Sequence, residues 1–200
     1  MRTLPRLVIT FATGMAAILS LVTTSHAEPL RVPVLVPITG FLSLEGTSQK
    51  NGAELALVGT DVSFSVIDTA TAPEIAINAF ERAVDASDVV SVIAPMLGTQ
   101  MLALVPLADE FGIPLITVSG TAKITELGSP NVYRFFPGDA VVKAAQARYA
   151  VEELDASRPA IISQTTAYGQ SGRAALEANL RRIGTPPVFQ ESMDVSVKDM

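Results

Sequence analysis

The chain has 200 residues, with 14 Lys and Arg against 20 Asp and Glu, a single His and no Cys. The net charge of −6 argues against nucleic acid or an anionic membrane as partner. The only histidine, His26, lies near the N-terminus, so residues 28–200 can form no Cys/His metal site, no Cys nucleophile and no Ser-His-Asp triad.

Residues 1–27 have the layout of a secretory signal. Arg2 and Arg6 supply the positive start, residues 7–22 (LVITFATGMAAILSLV) the apolar middle, and Ser25-His26-Ala27 the small-residue cleavage site. The competing reading is a membrane anchor, but the apolar stretch is short for a span and no second span follows it. The expectation is export to the periplasm, with cleavage after Ala27. Without the signal, twelve basic residues face twenty acidic ones, a net charge of −8. With no cysteine for disulfides, an exported chain must hold together through its core.

From residue 30 the pattern alternates. LRVPVLV (30–36) reads as a strand, with Pro33 arguing against a central place in a sheet. NGAELALVG (51–59) has helical spacing after a Gly/Ser/Thr turn, and VSFSVID (62–68) alternates as a strand. Thr71-Ala72-Pro73-Glu74 is a capping-box sequence, predicting a helix to about Asp85. VVSVIA (89–94) is a doubly covered strand, TQMLALVPLADEFG (99–112) a helix with Pro106 inside and Gly112 as cap, and IPLITVS (113–119) the next strand. Residues 120–138 hold a short helix, a Gly-Ser-Pro turn and the aromatic strand YRFF (133–136). The alternation then restarts: a helix over 139–155, a strand at 159–164, a helix over 168–184 and a strand from 188. This is an α/β pattern of parallel sheets covered by helices on both faces. The spacing divides it into a first lobe (28–120), a crossing segment (121–138) and part of a second lobe (139–200), which reads as incomplete.

Ligands of open parallel sheets bind at the carboxyl ends of the strands, where helix N-termini present free N–H groups. Met96–Gln100, Ser119-Gly120-Thr121 and Thr165–Gly169 each join small or hydroxyl residues to a helix start. Together they could cradle a carboxylate. Ordinary helix capping explains each one separately. Asp139 opens a helix after Pro137-Gly138, either as a cap or as a carboxylate facing a ligand ammonium. Tyr168 either stacks on a ligand or covers the helix start beside Gly169. No dinucleotide, P-loop or nucleophile-elbow motif is present, and the Thr71 capping box accounts for the loop after Asp68.

Four stretches carry a family resemblance: residues 34–57, 92–121, 131–139 (NVYRFFPGD) and 167–180. Over 30–200 the chain resembles the periplasmic ligand-binding proteins of branched-chain amino acid ABC transporters. The middle stretch is the most specific, running Pro106–Asp109, Gly112-Ile113-Pro114 and Ser119-Gly120-Thr121. The resemblance implies a two-lobed type I periplasmic binding fold that captures an amino acid and delivers it to a membrane permease. It implies a monomer, without cofactor, metal or catalysis. It further implies that Gly98, Thr99, Ser119 and Thr121 hold the ligand carboxylate. The backbone around Gly120, with Asp139 five residues after Arg134, would hold the ammonium, and Tyr168 would close over the ligand. Two positions depart from the family pattern. Gly98 replaces a hydroxyl residue, passing its role to backbone N–H or Thr99, and Glu45 replaces an aromatic. The same fold also serves exported regulators such as cell-wall synthase activators, which bind a partner protein. An enzyme of flavodoxin-like fold is a third reading, limited to carboxylates as general bases.

Overall fold

The computed structural model describes residues 29–85 and 88–196. The signal-peptide reading of residues 1–27 lies outside the described residues. No described helix is long and apolar enough to cross a membrane.

The first unit is a five-stranded parallel sheet in the order β2-β1-β3-β4-β5. Its strands are β1 (Val34–Val36), β2 (Val66–Asp68), β3 (Val92–Ile93), β4 (Leu115–Thr117) and β5 (Val132–Arg134). Between them run α1 (Ser43–Leu57), α2 (Pro73–Val84), α3 (Gly98–Phe111) and the short α4 (Lys123–Glu126). Alternation along β1 sends its side chains to two cores. Leu35 joins Phe80 and Ala76 of α2 and Met101 and Leu104 of α3, with Val92 and Leu115. Val34 and Val36 pack against Ala53 of α1. Helices therefore cover both faces, as an all-parallel sheet requires.

The second unit holds α5 (Asp139–Arg148), which continues as a π-helical turn over Tyr149–Glu153, then β6 (Ala160–Gln164), α6 (Ala167–Arg182) and β7 (Phe189–Met193). β6 and β7 pair in parallel, and Ile161, Ala147 and Leu180 form a small core.

Several expectations are corrected. β1 is central, between β2 and β3, despite Pro33. The chain tolerates the missing donor by breaking the ladder: Arg31 bridges to Ser63 and Val89, and regular pairing resumes at Val34. The Pro33 carbonyl still accepts from the Ile93 N–H at 2.9 Å. α1 begins at Ser43 rather than near Asn51 and absorbs the Gly/Ser/Thr stretch. Gly46 makes that possible, because a Cβ there would overlap the Pro37 carbonyl. The capping box does not form. Ala72 is the N-cap of α2 without a side-chain bond, and Thr71 lies in the left-handed region at φ +55°. Only Tyr133 and Arg134 of YRFF join β5, the edge strand of the first sheet, with Phe135 and Phe136 beyond it, so the crossing segment is partly built into the first unit. The helix over 99–112 keeps Pro106 inside and ends at Gly112, whose φ is +65°.

Candidate functional site

The strand order reverses between β1 and β3, and in such sheets that switch point marks a crevice at the carboxyl ends of the strands. Three side chains fix the chain there. Gln49 of α1 donates to the Ala94 carbonyl (2.8 Å) and accepts from the Met96 N–H (3.2 Å), holding the β3 exit. The Thr117 hydroxyl donates to the Pro95 carbonyl (3.2 Å) and accepts from the Ser119 N–H (3.1 Å), tying the β4 exit to the β3 exit. Arg134, at the end of β5, donates to the carbonyls of Thr121 (3.0 Å) and Gly120 (3.4 Å) and to the Thr125 hydroxyl (2.6 Å). The Asp139 N–H also donates to the Gly120 carbonyl, at 2.8 Å. The Ser119-Gly120-Thr121 turn is thus held from below through its carbonyls.

Its side chains are left differently. Ser119, Thr121 and Asp139 are each 1 % exposed. Ser119 Oγ, Thr121 Oγ1 and Asp139 Oδ2 are buried without a hydrogen-bond partner. Each such neutral group costs about 1–3 kcal/mol, and a charged one more. Folded proteins carry few of them. Three on one turn and the helix start beside it are a concentrated cost that the fold alone does not explain.

Helix capping does not account for them either. α3 has Leu97 as N-cap, α4 has Ala122 and α5 has Gly138, none with a side-chain cap bond. Asp139 is the first residue of α5 rather than its cap. Only at the third strand end does the capping explanation hold: the Thr166 hydroxyl accepts from the Gly169 N–H at 3.1 Å.

Glycines allow the close approach. A Cβ on Gly98 would overlap the Thr121 hydroxyl oxygen. A Cβ on Gly120 would lie 3.2 Å from the Tyr168 ring and 3.3 Å from Asp139 Oδ1. Gly98, Ser119, Gly120, Thr121, Asp139 and Tyr168 are therefore brought together. Thr99 follows Gly98 as the half-buried second residue of α3, and its hydroxyl makes no hydrogen bond among the described residues.

Above Gly120 lies a cavity of about 320 Å³. Leu42 and Glu45 of the α1 start, Met96 and Leu97 of the β3 exit and Val118 of the β4 exit line one side. Phe136, Gln164 and Tyr168 line the other. The volume is at the small end of the range of about 300–1,000 Å³ typical of small-molecule sites. Beside it, Lys143 places its ammonium 5.4 Å from the centre of the Tyr168 ring. A wider hollow of about 520 Å³ lies among α3, α4, α5 and α6, bordered by Ala140, Ala167, Ala174 and Ala175. Thr121 borders the wider hollow, and Ser119 and Asp139 are among the lining residues of neither; the smaller cavity is the better candidate because its wall includes Gly120, where an added Cβ would lie 3.3 Å from Asp139 Oδ1, together with Tyr168.

The reading of the sequence named the Met96–Gln100 strand end but did not single out Gln49, Thr117 or Phe136. Thr117 offered a signal, a hydroxyl inside a buried apolar strand, since such a group requires a partner. Gln49 offered none, because its role depends on where α1 crosses the β3 exit.

Residues 29–200 match the model of a family described as periplasmic binding protein. Among curated relatives, the Leu/Ile/Val-binding protein BraC3 of Rhizobium johnstonii is 24 % identical, over 95 % of this chain and 54 % of its own length. The chain thus spans about half the length of the curated relatives it matches. Among solved structures, a leucine-binding protein of Thermotoga maritima superposes with a TM-score of 0.76 at 23 % identity, covering 85 % of this chain and 50 % of that one. A solute-binding protein of Rhodopseudomonas palustris, solved with p-hydroxybenzoic acid, gives 0.77 at 20 % identity, covering 85 % and 48 %. These superpositions establish a type I periplasmic binding fold, present here in part. By the match over residues 29–200, the chain belongs to the periplasmic binding protein family.

Proposed function

We propose that this protein binds an α-amino acid outside the cytoplasm and delivers it to the permease of an ABC transporter, without catalysing a reaction. The observation that carries this reading is the set of unpartnered buried atoms: two hydroxyls and one carboxylate oxygen around Gly120. A zwitterion complements that set. Its carboxylate takes the Ser119 and Thr121 hydroxyls and the uncapped N–H groups at Gly98, where α3 begins. Its ammonium takes Asp139. Charge-assisted hydrogen bonds of this kind contribute about 1.5–3 kcal/mol each.

Capture couples the binding to a lobe movement. Lobes at 28–120 and 139–200 close about the crossing segment 121–138, a hinge motion around the ligand. Tyr168, carried by α6 of the second lobe, covers Gly120 and completes the wall. Thr99, next to Gly98 at the start of α3, adds its backbone N–H or its free hydroxyl to the carboxylate. A thermal-shift screen of the protein against α-amino acids tests the reading. A melting-temperature rise with at least one amino acid supports it. No rise with any amino acid, together with recovery of an envelope protein partner, favours the regulatory module instead.

A further inference from the structure

We propose that the cavity selects an α-amino acid whose side chain carries a second cation, an ammonium or a guanidinium, and that Glu45 is the residue that reads it. This rests on the assignment of the site to α-amino acids and narrows the ligand class.

Glu45 is the only ionisable acid or base whose side chain lines the cavity, apart from the phenol of Tyr168. The remaining wall is apolar except for the Gln164 amide and the Gly120 backbone. Glu45 stands in the first turn of α1 and has no ion pair or hydrogen bond among the described residues. Helix-dipole stabilisation of an acid in a first turn would explain it on the sequence alone. The structure adds that this turn is packed closely against the end of β1. Gly46, the next residue, lies so tightly on the Pro37 carbonyl that no Cβ would fit.

The independent observation is below it. Asp139 is 1 % exposed, and its Oδ2 is unpartnered beneath Gly120, which lines the same cavity. The cavity thus has one carboxylate at its rim and a second buried behind its Gly120 wall, and no cation among its lining residues. The nearby cations are directed elsewhere. Arg134 donates to the Gly120 and Thr121 carbonyls and the Thr125 hydroxyl, Lys50 pairs with Glu54 at 2.9 Å, and Lys143 sits against the Tyr168 ring and, with Arg173, lines a separate hollow along residues 161–164. An α-ammonium satisfies Asp139 alone. An aliphatic side chain then leaves Glu45 to be desolvated against it, which is unfavourable for a charge without a partner. A distal cation offsets that cost, and because Glu45 is exposed the preference weakens with salt.

L-lysine and L-norleucine test this, since they have the same unbranched carbon chain and differ by the terminal ammonium. Isothermal titration of the protein is expected to give L-lysine at least ten-fold tighter binding than L-norleucine. Glu45→Gln should bring the two affinities within about two-fold, with the ligand-free melting temperature unchanged. Asp139→Asn should weaken both ligands and preserve their ratio. Equal affinities in the unaltered protein, or a ratio unchanged by Glu45→Gln, would overturn the role of Glu45 while leaving the amino-acid assignment intact. Failure of either ligand to bind, with no other α-amino acid raising the melting temperature, would overturn both.

Discussion

Gly98 and Thr121 lie so close that a Cβ on the glycine would overlap the threonine hydroxyl. The contact joins the start of α3 to the turn after β4, two segments more than twenty residues apart in sequence. Gly98→Ala must therefore displace a buried side chain, for which overpacking costs about 1–3 kcal/mol. The cost should fall by about 1 kcal/mol in a Thr121→Ala background, because the overlapping hydroxyl is gone. Urea denaturation of the two single variants and the double variant measures this coupling. Strict additivity would mean that the two segments do not press on each other.

Tyr168 gives the site an optical reporter. The chain has no Trp and only three Tyr, so Tyr133, Tyr149 and Tyr168 account for its near-ultraviolet fluorescence. Tyr168 is 42 % exposed, touches the Gly120 position and has Lys143 over its ring. Amino-acid binding should change the tyrosine emission of the unaltered protein, and Tyr168→Phe should remove most of that change while retaining binding. A change that persists in Tyr168→Phe would place the ligand away from this ring.

Asp68 makes the first unit sensitive to acid. Burial pushes its carboxyl upward, but the Thr39 hydroxyl and the N–H groups of Ala70, Thr39 and Ile38 together hold it below the ordinary aspartate range. A carboxylate with a depressed folded pKa stabilises the protein above its unfolded value of about 3.9, and that contribution disappears as pH falls through the folded value. Asp68→Asn should therefore be less stable than the unaltered protein at pH 7. The gap between their denaturation midpoints should narrow below about pH 3.9. A gap that stays constant down to pH 2 would show that the charge on Asp68 has no part in holding the 38–40 loop.

Much of this architecture was legible in the sequence because it follows from local rules. The βαβ alternation and the Gly112 cap depend on periodicity and on backbone conformations that few residues adopt; of VVSVIA only Val92–Ile93 form the strand, and Val90 stays exposed. The misreadings occurred where tertiary contact overrode the local signal. Pro33 argued for an edge, yet interrupted pairing lets it stand at the centre of the sheet. Thr71 resembled a cap, but it takes a left-handed backbone and the N-cap position falls to Ala72, without a side-chain bond. At the candidate site, the strand ends pointed to Ser119, Thr121 and Asp139, but only coordinates separate a capping hydroxyl from one buried without a partner. Thr166 and Thr121 look alike in sequence; the first caps α6 and the second caps nothing.

The central claim is that the buried oxygens around Gly120, Asp139 Oδ2 above all, are arranged for a zwitterion. Titration of the protein with an α-amino acid that raises its melting temperature, and with the α-hydroxy acid of the same side chain, isolates the ammonium. The account predicts that the hydroxy acid binds about 100-fold more weakly, equivalent to losing one charge-assisted hydrogen bond. It also predicts that Asp139→Asn weakens the amino acid by a similar factor without lowering the ligand-free melting temperature. Equal affinity for the two ligands, or an Asp139→Asn variant that binds the amino acid as tightly as the unaltered protein does, would contradict it.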